Sequence, residues 1–184
     1  MKRHAVLLSS LLLINACSHI ENNTPMQEYL SLAPAKPDIP THKRLDGVIK
    51  LYDQLETVPI DSVVNDTYAE TFFFNDTLVT LHDRAQLSKY LKHTQQQLTA
   101  ISFQVLSVQD DGNDAYIRWL MRTRFNALGQ TMDIPSIGMS HLRFNSDNKI
   151  ILHQDYWDGM QGFYQHLPFI GGLLRWIKNG LNDY

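Results

Sequence analysis

From Thr41 onward the chain alternates between two hydrophobic periods, and each change of period marks a change of element. Leu45, Val48, Ile49, Tyr52 and Leu55 recur at three- and four-residue intervals. With Thr41 placed as a cap and Pro59 closing the segment, they predict one amphipathic helix. Pro59-Ile60-Asp61 opens a short helical piece through about Asn65, and the aromatic, Thr-rich run 68–74 reads as a strand. Asn75-Asp76 is a turn pair, followed by a weak strand at residues 78–81. Asp83 can cap a second long helix whose Leu87, Tyr90, Leu91, Thr94 and Leu98 share a face.

The second half is written in the period of strands. Residues 101–108 form one, Asp110-Asp111-Gly112-Asn113-Asp114 a hairpin turn, and residues 115–127 a long strand. Along that strand Ile117, Trp119, Met121, Thr123 and Phe125 alternate with Arg118, Arg122 and Arg124. The apolar set reads as core or as the wall of a hydrophobic ligand site, the arginines as a solvated or dimer-facing row. Leu128-Gly129-Gln130 turns the chain again, and residues 137–144 and 149–157 pair around Asn145-Ser146-Asp147-Asn148. The order is helix, short helix, two strands, long helix, four antiparallel strands. It predicts an α+β fold in which helices pack on one strongly curved antiparallel sheet.

Both ends of the chain differ in kind from this middle. Met1-Lys2-Arg3-His4 is a short positive start, residues 5–14 contain only Ala, Val, Leu, Ile and Ser, and Asn15-Ala16 leads to Cys17. A spanning helix needs roughly 20 apolar residues, so this run is the apolar region of a cleaved signal. Leu13-Ile14-Asn15-Ala16-Cys17 resembles the lipobox of bacterial lipoproteins, and Cys17 is the chain's single cysteine. The resemblance implies cleavage before Cys17 and a membrane anchor of two or three acyl chains, each buried CH₂ contributing about 0.8 kcal/mol. Ser18 resembles the sorting residue of outer-membrane lipoproteins, which implies anchoring at the cell membrane or, in a Gram-negative host, on the periplasmic face of the outer membrane. Residues 17–40 hold four prolines, which block regular helix and strand, and read as a semi-extended tether. Residues 41–184 form the domain, including an apolar tail, 159–184, with a helix starting near Pro168. That tail either closes a pocket or lies in the membrane interface.

Composition excludes several classes. A formal charge of −3 with no Lys/Arg run argues against nucleic acid as partner. No nucleophile motif, phosphate loop or dinucleotide fingerprint is present, and no cofactor is implied.

Three short runs carry a resemblance of another kind. They are Gly138-Met139-Ser140-His141-Leu142-Arg143-Phe144, Asp147-Asn148-Lys149-Ile150 and His153-Gln154-Asp155-Tyr156-Trp157-Asp158. They resemble the last hairpin of SnoaL-like proteins of the NTF2-like superfamily, and the element order from about Arg44 to Asp158 matches that cone. The resemblance implies a deep apolar pocket between the sheet and the helices, with dimerisation common among its members. It also implies that Asp155 stands where the polyketide cyclases keep a general acid or base. Fold alone does not choose an activity.

Strand alternation proposes what meets in the pocket. With residues 145–149 as the loop, His141 faces His153 and Met139 faces Asp155, which sets His141, His153, Asp155 and Trp157 on one side of the sheet. A slip of one residue would change the cross-strand partners but keep His153, Asp155 and Trp157 together. A carboxylate in apolar surroundings has its charged form disfavoured, and a neighbouring His can share its proton. Asp155 with His153 or His141 is therefore the catalytic set, while Tyr52, Trp119, Met121 and Trp157 line the ligand site. No HxxxH or HxH spacing supports a metal on these residues. The leading expectation is an envelope lipoprotein whose pocket binds a hydrophobic small molecule. An isomerase, cyclase or dehydratase using Asp155 is the alternative, and a protein-interaction module a second one.

Overall fold

The computed structural model describes residues 25–36, 43–127 and 130–159. The signal segment, Cys17, Thr41, the Leu128-Gly129 turn and the apolar tail beyond Gly159 lie outside them.

The helices form near where the periodicity places them, but the first ends at Asp53, before Leu55, and Leu98 belongs to the following strand instead of the long helix. A single 3-10 turn, Lys43–Leu45, leads into α2 (Asp46–Asp53), α3 spans Ile60–Thr67 and α4 spans Arg84–Gln97. Asp83 caps α4 as expected, accepting from the Gln86 N–H at 2.8 Å, a contact of the kind whose loss costs about 1 kcal/mol. The Gln86 side chain in turn accepts from the His82 N–H at 3.2 Å. Gly47 lets α2 and α3 touch: a Cβ there would stand 2.0 Å from Thr67 Oγ1.

Six strands form one sheet in the order β2-β1-β6-β5-β4-β3. They are β1 (Tyr68–Asn75), β2 (Thr80–Asp83), β3 (Leu98–Asp111), β4 (Asp114–Ala127), β5 (Gln130–Phe144) and β6 (Ile150–Trp157). The sheet is mixed rather than wholly antiparallel, because β6 returns after the β3–β5 meander to lie parallel to β1. β2 begins two residues later than expected, since Asp76 accepts the N–H groups of Leu78 and Val79 at 2.9 Å and keeps those residues in a turn. β3 and β4 close on a two-residue loop with Gly112 at φ +63°, a conformation that costs glycine little.

The inner face of the sheet and the apolar sides of α2, α3 and α4 share one core. Val48, Leu51, Val64, Tyr68, Phe74, Leu87, Ile117, Trp119, Leu142 and Ile150 lie in it, none more than 3% exposed. Of the aromatic run in β1, Phe72 and Phe74 point inward and Phe73 outward.

The tether expectation is corrected for its second half. Residues Pro25–Leu32 form a helix, α1, because Pro at a first helical position gives up an N–H that has no helical partner in any case. Beyond it the chain is pinned to the sheet rather than extended in solvent. Arg118 donates to the carbonyls of Ala33 and Pro34 at 2.7 and 2.8 Å and to the Tyr29 hydroxyl at 3.1 Å. The Lys36 N–H bonds the Leu106 carbonyl at 2.8 Å, where one extra residue bulges edge strand β3. The arginine row is thus divided: Arg118 holds the N-terminal segment, while Arg122 and Arg124 pair with Asp133 on β5.

Candidate active site

Pairing of β5 with β6 decides which side chains meet. Phe144 pairs with Ile150, as the loop length requires, but Arg143 pairs with Leu152, so Ile151 is an extra residue on β6. Every later partner moves by one: Leu142 faces His153, Ser140 faces Asp155 and Gly138 faces Trp157. This corrects the expected His141–His153 and Met139–Asp155 pairs. His141 lies on the outer face, stacked on Tyr116 with centroids 4.6 Å apart and bonded through Nε2 to Asp114 at 2.8 Å. It takes no part in the inner site. His141, His153 and Asp155 therefore do not converge, and among the described residues no group of three or more His, Cys, Asp and Glu side chains is placed to hold a metal.

Inside the cone, five buried groups form one chain of hydrogen bonds. Trp119 Nε1 lies 2.9 Å from Ser140 Oγ, which lies 2.5 Å from Asp155 Oδ1. The same Oδ1 is 2.9 Å from His153 Nε2, and His153 Nδ1 is 2.7 Å from the Tyr68 hydroxyl. His153 is wholly buried and Asp155 only 6% exposed. Phe74 meets the imidazole edge-on at 5.0 Å and Tyr68 stacks along it at 6.0 Å, which fixes the ring plane.

Around this chain stand groups that are only partly buried: Tyr52, Tyr90, Phe103, Met121 and Trp157. Tyr52 stacks on Phe103 at 5.4 Å and meets His153 edge-on at 6.1 Å. Tyr90 donates to Asp76 Oδ2 at 2.5 Å, and Trp157 Nε1 donates to the Asp76 carbonyl at 2.8 Å. Every buried side-chain nitrogen or oxygen among the described residues has a hydrogen-bond partner. Asp155 Oδ2 and the Tyr52 hydroxyl take no hydrogen bond among those residues, and neither atom is wholly enclosed.

The structure thus joins Tyr52, Trp119, His153, Asp155 and Trp157 in one neighbourhood, leaves His141 out, and adds Ser140, Tyr68 and Tyr90. Trp119 is too buried to line a ligand site and serves as a donor to Ser140. Met121 borders a surface cleft of about 380 Å³ with Phe103 and Pro135. Ser140 had a signal in the sequence, since it lies two residues from Leu142 on the apolar face of β5, but only the bulge at Ile151 brings it opposite Asp155.

Burial, and after it the negative charge of Asp155, pushes the Tyr52 and Tyr68 phenols well above their usual range. Tyr52 is partly exposed, yet loss of water from its phenol is the main cause. Tyr90 moves the same way, by burial first and Asp76 second. All three stay proton donors beyond pH 10, where the unfolded chain ionises its tyrosines and so binds fewer protons than the fold. Stability therefore falls as pH rises above about 10, by about 1.4 kcal/mol per pH unit for each such tyrosine. On alkaline titration, three of the eight tyrosines should give tyrosinate absorbance at 295 nm only when the circular dichroism of the fold is lost. Normal titration of all eight within an intact fold would contradict their burial.

The sequence profile of the SnoaL-like domain matches residues 48–153, from the first turn of α2 to the buried His153. No curated protein matches the chain. Several solved structures share its fold. A SnoaL-like protein from Shewanella putrefaciens, provisionally named a polyketide cyclase, superposes with a TM-score of 0.57 at 12% identity, covering 66% of this chain and 94% of its own. An LEH-like epoxide hydrolase of Mycobacterium tuberculosis gives 0.54 at 10% identity, over 77% of this chain and 95% of its own. An NTF2-like protein of unknown function from Exiguobacterium gives 0.53 at 18%, over 62% and 98%. Identities this low speak for the fold alone, whereas the profile spans more than half of the sequence. The curved sheet, the packed helices and that match together establish that the chain belongs to the SnoaL-like domain family.

Proposed function

We propose that this SnoaL-like domain is an enzyme of the isomerase, cyclase or dehydratase type, in which Asp155 moves a proton on a hydrophobic small molecule. The observation that carries the reading is a pair of polar groups that take no hydrogen bond among the described residues, Asp155 Oδ2 and the Tyr52 hydroxyl, beside a chain of buried groups whose polar atoms all have partners. One is a base and the other a donor that keeps its proton through neutral and alkaline pH. Oδ2 takes a proton from a carbon next to a carbonyl or leaving group, and Tyr52 donates a hydrogen bond to the oxygen that gains charge. His153 keeps Oδ1 occupied and is itself held by Tyr68. The cyclase and epoxide-hydrolase names of the similar structures agree with chemistry of this kind.

The reading can be tested without the natural substrate. In 5-nitrobenzisoxazole, Oδ2 would take the C3 proton, the C–H electron pair would complete a nitrile, and the N–O bond would break to release a coloured phenolate facing Tyr52. Saturable turnover that falls in Asp155→Asn, and by about tenfold in Tyr52→Phe, supports the enzyme. A wild-type rate no faster than free acetate overturns it, and retained ligand binding would then identify a binding protein.

We propose further that the domain is exported and held at a membrane by lipid on Cys17, on the strength of residues 13–17. No helix among the described residues is long and apolar enough to cross a membrane. In detergent phase partitioning the wild-type chain enters the detergent phase and incorporates labelled palmitate; Cys17→Ser moves to the aqueous phase without label. Aqueous wild-type protein would end this proposal.

A further inference from the structure

We infer that Ser140, held by Trp119, is a positioning residue that dictates which oxygen of Asp155 reacts. The inference rests on the reading of Asp155 as the base.

An indole N–H can only donate. Ser140 Oγ therefore accepts from Trp119 Nε1 and directs its own proton to Asp155 Oδ1, 2.5 Å away. From the other side His153 brings Nε2 to 2.9 Å from the same oxygen. Both protein donors thus fall on Oδ1, and Oδ2 takes no hydrogen bond among the described residues. The three members come from adjacent strands in direct register, Trp119 opposite Gly138 and Ser140 opposite Asp155. Trp119 is 3% exposed, Ser140 4% and Asp155 6%. Water cannot readily replace any of these bonds, and the torsion of the carboxylate is fixed from two sides.

The chemical consequence is directional. A carboxylate free to turn about its last bond presents either oxygen and spends most of its time aimed away from the carbon it must deprotonate. Pinning Oδ1 holds the lone pairs of Oδ2 in one orientation, the kind of alignment whose loss by about 1 Å can cost on the order of 10²-fold in rate. Ser140 touches no substrate in this scheme and acts only through Asp155. Trp119 acts only through Ser140, one step further back.

The test uses the full chain and 5-nitrobenzisoxazole, with Ser140→Ala, Ser140→Thr, Trp119→Phe and Asp155→Asn alone and combined. Ser140→Ala should lower kcat about tenfold with KM within twofold, Ser140→Thr should restore most of it, and Trp119→Phe should cost about threefold. Because Trp119 works through Ser140, the double variant should be no slower than Ser140→Ala alone. In an Asp155→Asn background neither change should alter the residual rate. A second readout needs no turnover. In the infrared difference between wild type and Asp155→Asn, the antisymmetric and symmetric carboxylate bands should lie closer together once Ser140→Ala removes a donor from one oxygen. Unchanged kcat and unchanged bands in Ser140→Ala, with Asp155→Asn inactive, would overturn the positioning role alone. Additive losses, or a rise confined to KM, would overturn it too. Wild-type turnover in Asp155→Asn would instead sink the reading of Asp155 as the base, and this inference with it.

Discussion

Asp155→Asn is expected to lower kcat/KM for 5-nitrobenzisoxazole by about 10²- to 10⁴-fold, the usual worth of a positioned general base, while leaving the fold in place. The substitution is clean because of how the carboxylate is held. Both protein donors, Ser140 Oγ and His153 Nε2, lie on Oδ1. The carbonyl oxygen of Asn can accept both, and its NH₂ group then stands where Oδ2 stood, an atom that takes no hydrogen bond among the described residues. Nothing buried loses a partner, so the thermal midpoint should move by no more than a few degrees. Asp155→Ala should behave differently. It strips Ser140 and His153 of their shared acceptor, and each orphaned buried group costs about 1–3 kcal/mol. A loss of rate in Asp155→Asn matched by an equal loss of folded protein would point to a structural role for the carboxylate. Retained stability with lost turnover isolates its chemistry.

Much of this arrangement could be read from the residues in order, because helices and strands announce their period locally. Asp83 as a cap, the face of α4 and the alternation of Ile117, Trp119 and Met121 along β4 all follow from neighbours within a few positions. The common face of His153, Asp155 and Trp157 is equally local, since strand periodicity alone sets it. What the residues did not disclose depends on contacts made far along the chain. Ile151 as an inserted residue cannot be told from a regular strand position by its side chain, yet it changes the partner of His153 from His141 to Leu142 and that of Asp155 from Met139 to Ser140. The parallel β1–β6 pairing joins segments separated by the whole β2–β5 region. The N-terminal prolines argued against a helix because the permissive position of Pro25 shows only once the helix start is known. Ser140 and Tyr68 were overlooked for a related reason: a buried serine and a buried tyrosine in strands look like core filler until a carboxylate and an imidazole are placed beside them.

Gly138→Ala tests the packing beneath the site and should be the most damaging single methyl group in the domain's centre. A Cβ at this position would stand 2.4 and 2.5 Å from Cζ2 and Cη2 of Trp119, and 2.8 Å from the Tyr156 carbonyl oxygen. Neither neighbour yields easily. The indole is 3% exposed and tied to Ser140, and the carbonyl belongs to the backbone of β6 beside the Gly138–Trp157 pair. The glycine is needed here for close approach: its missing side chain is the floor on which the indole lies to reach Ser140 two residues further along β5. Overpacking of a core typically costs about 1–3 kcal/mol, and loss of the indole hydrogen bond adds about 1 kcal/mol. At about 2–4 °C per kcal/mol for a chain of this size, the thermal midpoint should fall by roughly 10 °C. Because the clash is with the ring itself, Trp119→Leu in the same chain should recover part of the loss, so that the double variant is more stable than the sum of its single changes predicts. It should not recover turnover, since leucine cannot donate to Ser140. A wild-type midpoint in Gly138→Ala would show that the indole does not lie over this strand, and the chain from Trp119 to Asp155 would lose its first link.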